Sequence, residues 1–323
     1  MSAPILECKD LRVYYHTERG PVKAVDGVNL QLFPGMRLGL VGESGCGKSS
    51  MALAMLRLLP PLGKIEGGEI LLDGVDMVKL SSEEMRRVRL RQISLIPQGS
   101  MNSLNPVMRI RGQIMDGIQD HDRTMSEAAI RERIVEVLES VDLDPKVADM
   151  YPHELSGGMK QRVCVAIAIS LRPKVVIADE PTSALDVVVQ QQVMETIERL
   201  QQEMGISVML IGHDMGLMAQ FVQRLAVMYA GRLVEVSDVE DVFADPLHPY
   251  TQLLISSLPT LEVKGVFRGI AGITPSLLNA PEGCLFHPRC PKATELCSQQ
   301  RSPLIEVRPG RLVACHLYGE VKR

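Results

Sequence analysis

The chain has 323 residues, 35 Lys+Arg against 39 Asp+Glu, a formal net charge of −4, 46% hydrophobic residues and 3% aromatics. These are globular proportions, which exclude disorder and collagen-like structure for most of the chain. The length fits about two domains with their own cores, and the slightly acidic balance argues against a protein whose main task is coating nucleic acid.

In chain order, Met1 to Asp10 carries Glu7 and Asp10 and lacks a signal-peptide core. Leu11 to Val13 and Val28 to Leu32 read as short strands with a turn-rich stretch between them. Arg37 to Val41 is a buried-strand pattern running straight into Gly42. Lys48 to Leu59 is almost continuously apolar, which predicts a helix buried on most sides and stopped by Pro60 and Pro61. Ile70 to Asp73 with Gly74 predicts a strand and turn, and Ile93 to Pro97 another short strand. Thr124 and Glu127 form a candidate capping box ahead of Ile130, Ile134, Val137, Leu138 and Val141, which repeat at helical spacing. A second helix is expected from Met159 to Leu171, ended by Pro173. Val175 to Ala178 and Val208 to Ile211 are strands, separated by a helix from about Val187 to Met204. Strands alternating with helices imply a mostly parallel sheet flanked by helices.

After Asp245, prolines such as Pro246, Pro249, Pro275, Pro288 and Pro309 break up any long element. Residues 246–323 therefore read as a separate, loop-rich appendage, and so small a unit needs a staple. The longest apolar run, Val163 to Leu171, is half the roughly 18 residues that a membrane helix requires. The expected setting is a reducing cytoplasm, where disulfides are disfavoured. The seven cysteines then need another account. Cys8, Cys46 and Cys164 are scattered; Cys284, Cys290, Cys297 and Cys315 crowd near the C-terminus.

Gly42-Glu43-Ser44-Gly45-Cys46-Gly47-Lys48-Ser49, followed by Ser50, fits the phosphate-loop pattern G-x-x-x-x-G-K-[ST], with a strand before it and a helix after it. Glycines let the backbone turn tightly and aim successive N–H groups at one anion, and the helix adds its positive end. Lys48 is expected at the β- and γ-phosphates and Ser49 at Mg²⁺. The buried strand ending in Asp179-Glu180 supplies a second carboxylate for the metal, Asp179, and a general base for the attacking water, Glu180.

Leu155-Ser156-Gly157-Gly158-Met159-Lys160-Gln161 resembles the LSGGQ signature of ATP-binding cassette proteins. The other motifs of that family follow in order. Gln98 resembles the Q-loop glutamine, which contacts Mg²⁺ or water and faces membrane subunits. Ser183 to Asp186 resembles the D-loop, and His213 the switch histidine near the γ-phosphate. Tyr15 matches the aromatic residue that stacks on adenine, with Tyr14 a rival one residue away. The resemblance implies an α/β fold: a P-loop NTPase (RecA-like) core with an antiparallel β subdomain and a helical signature subdomain at about residues 100–168. Residues 1–245 form this cassette, and a small loop-rich Cys₄ domain follows at 246–323. It also implies that Ser156, Gly157 and Gly158 cap ATP held by another subunit, so that two cassettes close head-to-tail. One phosphate loop and one signature then call for a second cassette.

Cys46 stands where serine is frequent, and a thiol there is expected to be open to alkylation or oxidation. Lys160 follows Met159 where the short signature has glutamine. Glu180 and His213 are both present, which implies a hydrolysing cassette.

Gln98 to Pro106, Asp245 to Leu254, Gly272-Ile-Thr-Pro275 and Gly283 to Pro291 are similar to segments of the ATP-binding subunits of dipeptide and oligopeptide importers. That resemblance implies two integral membrane permease subunits, docked near Gln98 to Pro106, and an extracytoplasmic substrate-binding protein. It further implies a partner cassette that is a paralogue, with a homodimer left open, no nucleic acid, and a peripheral location on the cytoplasmic face of the inner membrane. Related permeases move nickel or oligosaccharides, and an ATPase that does not touch substrate leaves that choice open. A soluble cassette ATPase acting on nucleic acid or ribosomes is the alternative from another class.

The clustered cysteines are spaced C-x5-C-x6-C-x17-C. Four converging thiolates can bind one tetrahedral metal or one iron–sulfur cluster, and the tight pair usual in zinc sites is missing. By resemblance, Cys284, Cys290, Cys297 and Cys315 are ligands of a [4Fe–4S] cluster acting as a structural staple. Zinc and free buried cysteines remain open, and His287 and His316 are bystanders.

Overall fold

The structure is a computed structural model that describes residues 3–99, 103–258 and 269–319. Strands β1 (Leu6–Thr17) and β2 (Gly20–Leu32) form a hairpin. Both are longer than the sequence predicts. Register shifts between Cys8 and Leu11 and between Val13 and Tyr14, with Asp10 at φ 46°, break the two-residue alternation that marks a strand. The stretch expected to be turn-rich is paired, with the turn at Glu18 and Arg19. Strands β3 (Arg37–Val41), β4 (Gly63–Leu72), β5 (Val75–Asp76) and β6 (Ile93–Ile96) follow. Next come β7 (Val175–Asp179), β8 (Ser207–Gly212), β9 (Arg224–Tyr229) and β10 (Arg232–Asp238), then β11 (Ile305–Arg308) and β12 (Arg311–Val313).

Among the described residues these make two sheets. An antiparallel sheet runs β2-β1-β4-β5, and an eight-stranded sheet runs β11-β12-β10-β9-β3-β8-β7-β6. From β9 to β6 the larger sheet is parallel, with β3 between β9 and β8. Every residue of β7 and β8 is buried, as expected of strands covered on both faces. Alternate residues serve two cores. Val175, Ile177, Met209 and Ile211 face the antiparallel sheet, while Val176, Ala178, Val208 and Leu210 face the helices.

The helices are α1 (Lys48–Met55), α2 (Ser82–Val88), α3 (Ile110–His121), α4 (Glu127–Ser140) and α5 (Gly157–Ile169). They continue with α6 (Val187–Met204), α7 (Met215–Phe221), α8 (Val239–Ala244), α9 (Pro249–Ser256) and α10 (Glu295–Gln299). Helix α1 stops short of the predicted Leu59 because Arg57 takes a left-handed φ of 51°. The start of α4 corrects the expected cap. Ser126 accepts from the Ala129 N–H at 3.2 Å, while Thr124 bonds back to Asp122. Helices α3, α4 and α5 share one core, to which they bring Ile110, Ile114 and Ile118, Ile130, Ile134 and Val137, and Val163 and Ala166.

The segment after Asp245 does not stand apart from the cassette. Strand β12 pairs with β10, Glu235 opposite Val313 and Val236 opposite Leu312, so the larger sheet crosses the expected boundary. Glu235 is fully buried, and its carboxylate accepts the Leu247 and His248 N–H groups, both at 2.8 Å. Phe286 and Tyr250 are buried in the helical-side core. No helix of the described residues is long and apolar enough to cross a membrane.

Asp26 joins the hairpin to the rest of the molecule. It accepts from the Tyr14 hydroxyl at 2.8 Å, from Arg232 at 2.6 Å and from Arg301 of the tail at 3.2 Å. Burial works against its charge, but the hydrogen bonds from Arg232 and Tyr14 and the two guanidinium charges outweigh it and hold the carboxyl below its ordinary range. Burial and the Asp26 hydrogen bond push Tyr14 up to about 12. A lowered carboxyl contributes stability that is fully present above its unfolded value of about 3.9 and is lost as pH falls through the folded value. Asp26→Asn is therefore expected to cost about 1.5–3 kcal/mol at neutral pH. The gap to wild type should close as urea unfolding is repeated below about pH 4. A gap independent of pH would show that charge is not what Asp26 contributes.

Candidate functional site

The phosphate loop leaves β3 through Gly42 and enters α1 at Gly47, where φ is 109°. Neither position has room for a side chain. A Cβ on Gly42 would lie 2.1 Å from the Met228 carbonyl oxygen, and one on Gly47 would lie 2.0 Å from that of Ala24. Lys48, 6% exposed, turns its ammonium into the loop and donates to the carbonyls of Gly42 at 2.7 Å and Glu43 at 3.1 Å. Cys46 Sγ lies 3.7 Å from the same nitrogen and is fully buried. Burial pushes its thiol up, against the lowering charge of Lys48. That corrects the expectation of a reactive thiol, because an enclosed thiol with little thiolate is a poor nucleophile.

Asp179, the last residue of β7, is buried, and its Oδ1 has no hydrogen-bond partner. Burial raises its pKa and the Glu180 charge adds to that, while a hydrogen bond from Ser49 and the Lys48 charge oppose them. A buried, half-satisfied carboxylate linked to Ser49 and facing an ammonium is the donor chemistry that a hard cation takes up, so Asp179 and Ser49 fit Mg²⁺. The next residue, Glu180, adopts φ 46°, an uncommon conformation for a residue with a side chain. Its N–H is held by the Ile211 carbonyl of β8 at 2.9 Å. Its Oε2 accepts from Gln98 Nε2 at 2.9 Å, and its Oε1 lies 3.2 Å from His213 Nδ1. Three neighbouring strand ends, β6, β7 and β8, thus bring Gln98, Glu180 and His213 together. Glu180, Thr182, Ser183 and His213 line a cavity of about 200 Å³.

Tyr15 donates its hydroxyl to Ser50 Oγ of α1 at 3.1 Å, which puts it beside the phosphate loop, whereas Tyr14 is turned to Asp26. Ser156 caps α5, accepting from the Met159 N–H at 3.3 Å, and Asp186 caps α6, accepting from the Val189 N–H at 3.0 Å. The two helix starts touch: a Cβ on Gly158 would meet Val189 Cγ1 at 2.7 Å. Both caps are exposed. Ser100, Met101 and Asn102 of the extended Q-loop segment lie outside the described residues.

The family model described as ABC transporter matches residues 25–183, and the model described as the C-terminal region of oligopeptide/dipeptide transporters matches residues 234–297. The oligopeptide transport ATP-binding protein OppD of Escherichia coli K12 is 45% identical over 96% of this chain and 92% of its own. The dipeptide transport ATP-binding protein DppD of Caldanaerobacter subterraneus is 40% identical over 98% of both chains. The chain belongs to the ATP-binding proteins of oligopeptide and dipeptide ABC transporters. Its fold is similar to a bacterial ABC transporter cassette solved as a dimer, with a TM-score of 0.65 and 27% identity over 72% of this chain and 98% of that one. As a member of this family the cassette is an ATPase that works with ATP and Mg²⁺.

Cys284, Cys290, Cys297 and Cys315 of the tail are partly buried and form no disulfide. Among the described residues no group of three or more His, Cys, Asp or Glu is arranged to hold a metal ion. The four thiols nevertheless feel one another. Burial, and then the charges of Cys284, Cys290 and Cys297, push Cys315 up to about 11. Burial, with Cys297 and Cys290, raises Cys284 in the same way. The Cys284 N–H donates to the Cys297 carbonyl at 2.8 Å.

Reading motifs one at a time misses Glu43, Thr274, Tyr250 and Arg289. The Glu43 N–H donates to the Tyr250 hydroxyl at 2.9 Å, and its carboxylate receives Arg289 and Thr274 of the tail. Burial opposes its ionisation, but the hydrogen bonds from Arg289 and Thr274 outweigh it and keep the carboxyl low. The signal was available in the motifs around Tyr250 and Arg289, which carry no role until the chain is folded.

Gly47→Ala tests the loop's packing. It forces a Cβ against the Ala24 carbonyl at a left-handed φ. The substitution is expected to lower stability by about 2 kcal/mol or more in chemical unfolding. A loss of a few tenths would mean that the loop and β2 part easily.

Proposed function

We propose that the chain is the ATP-hydrolysing subunit that powers an importer of di- and oligopeptides. The observation that carries the hydrolytic part is Glu180, held between Gln98 and His213 at the mouth of the parallel sheet, beside Lys48 and Asp179. The substrate class rests on relatives named for oligopeptide and dipeptide transport and on the tail that the chain shares with that group.

In this reading the phosphates of ATP lie in the loop from Gly42 to Ser50, with Lys48 countering their charge, and Tyr15 stacks on adenine. Ser49, Asp179 and Gln98 would hold Mg²⁺, which would neutralise charge on the phosphates. Glu180 accepts a proton from water as the water oxygen bonds to the γ-phosphorus. The bond from that phosphorus to the bridging oxygen breaks, and ADP and phosphate leave. Gln98 and His213 hold the Glu180 carboxylate from opposite sides, so its basic oxygen keeps a fixed direction. Ser156, Gly157, Gly158 and Asp186, displayed on two touching helix starts, close on ATP held by a second, paralogous cassette. That closure, possible only with the γ-phosphate in place, moves two membrane permease subunits fed by an extracytoplasmic binding protein. The subunit then sits peripherally on the cytoplasmic face of the membrane.

The finer assignment of the tail is part of the same proposal. Cys284, Cys290, Cys297 and Cys315 lie close enough for their charges to act on one another and are the donor type that a [4Fe–4S] cluster uses; they would hold it as a staple once deprotonated.

Glu180→Gln should keep ATP binding and lower turnover by about 10²-fold or more, trapping the nucleotide-bound dimer. Near-normal turnover would remove Glu180 as the base. For the tail, iron, zinc and acid-labile sulfide measured after anaerobic purification should give iron and sulfide near about four each per chain. Zinc without sulfide would make it a zinc staple, and no metal at all would withdraw the cluster while leaving the ATPase intact.

A further inference from the structure

Arg289 lies between two tail cysteines, 246 positions from the residue it grips. Its side chain is 5% exposed. Nη1 and Nη2 donate to the two carboxylate oxygens of Glu43 at 2.8 and 2.9 Å, a fork-to-fork pair. The guanidinium is itself held by the carbonyls of Ala271 at 3.0 Å and Ile270 at 3.1 Å. Thr274 adds a third hydrogen bond to Glu43, at 2.5 Å. The main chain is gripped independently, because the Glu43 N–H donates to the Tyr250 hydroxyl. Tyr250 is fully buried and packs against Tyr229 and Phe286, with ring centroids 4.6 and 5.4 Å away.

Glu43 is the second residue of the phosphate loop, yet its side chain and its N–H are both committed to the tail. Its carbonyl meets Lys48 Nζ at 3.1 Å, so the position of Glu43 is passed directly to the residue expected on the phosphates. A planar, bidentate pair fixes orientation as well as distance, which a lysine cannot reproduce. We propose that Arg289 is a positioning residue for the phosphate loop: by fixing Glu43 it keeps the first half of the loop and the Lys48 ammonium in the shape that takes ATP, so the C-terminal tail sets nucleotide affinity. This rests on residues 42–49 being the phosphate loop.

The test uses the full-length chain and a fluorescent ATP analogue, with melting curves to confirm folding. Arg289→Lys and Glu43→Gln should each weaken binding by about tenfold, the loss expected for a charge-assisted hydrogen bond. The double variant should be no weaker than either single one, because both remove the same interaction. In the ATPase assay KM should rise while kcat stays within about threefold, which a merely structural staple would not produce. Tyr250→Phe keeps the ring packing and removes only the hydroxyl, so it carries the test if the Arg289 variant does not fold; it should weaken binding in the same direction. Lys48→Ala separates the two levels. Wild-type binding in that variant would overturn the loop assignment and the proposal with it. Lost binding there, with unchanged affinity in Arg289→Lys and Tyr250→Phe, would overturn the positioning role alone.

Discussion

The absence of a side chain at Gly42 and Gly47 is the constraint on which this architecture rests. The phosphate loop is wedged between two sheets. On one side, Gly42 lies against the Met228 carbonyl of the parallel sheet; on the other, Gly47 lies against the Ala24 carbonyl of the hairpin. The wedge is tied on both flanks. The Cys46 carbonyl accepts the Gly231 N–H, and the Gly231 carbonyl accepts the Asp26 N–H. The same glycines that suit an anion-binding loop therefore also let the antiparallel sheet close on the parallel one. Site and fold share their tightest contact, which is why the loop cannot be treated as an insert carried by an indifferent scaffold.

Around that wedge the charges are left uneven. Asp179 is buried with one oxygen unsatisfied, Glu180 sits at a left-handed φ beside it, and Lys48 is enclosed among carbonyls. Each is locally costly in an isolated chain. They are adjacent, and their costs have a common remedy in a polyphosphate and its cation. These three residues lie where the proposed chemistry occurs, and the two cores on either side of the sheet hold them in place.

Much of this was legible in the sequence, for identifiable reasons. Val175 to Ala178 and Val208 to Ile211 read as unbroken apolar runs because both faces of β7 and β8 are covered. The phosphate loop, Asp179-Glu180 and the Ser156 helix start are local patterns. The hairpin was less legible, since the irregular register around Asp10 interrupts the alternation that marks a strand. Helix α4 starts at Ser126 because Thr124 spends its hydroxyl on Asp122. The docking of the tail was not legible at all. Strand β12 is three residues long and pairs with β10 at Glu235 and Val236, and the buried Glu235 carboxylate holds the Leu247 and His248 amides. Cys46 looked reactive from its motif and is shielded by its burial. Arg289 and Glu43 could be paired only by folding the whole chain.

The tail's place in the sheet has a consequence for how the protein is made. Chains emerge from the ribosome N-terminus first and fold as units become complete. Here the phosphate loop appears long before the guanidinium that seats Glu43 and the strand that covers β10. A nascent chain that has already released its glycine loop and its parallel strands still has an open sheet edge along β10. It also still has a carboxylate at Glu43 without its counter-ion. The site is therefore finished only when the tail has been made, not when the cassette's own motifs have been synthesised. The newborn protein passes through an interval in which its phosphate loop waits for an arginine 246 positions downstream.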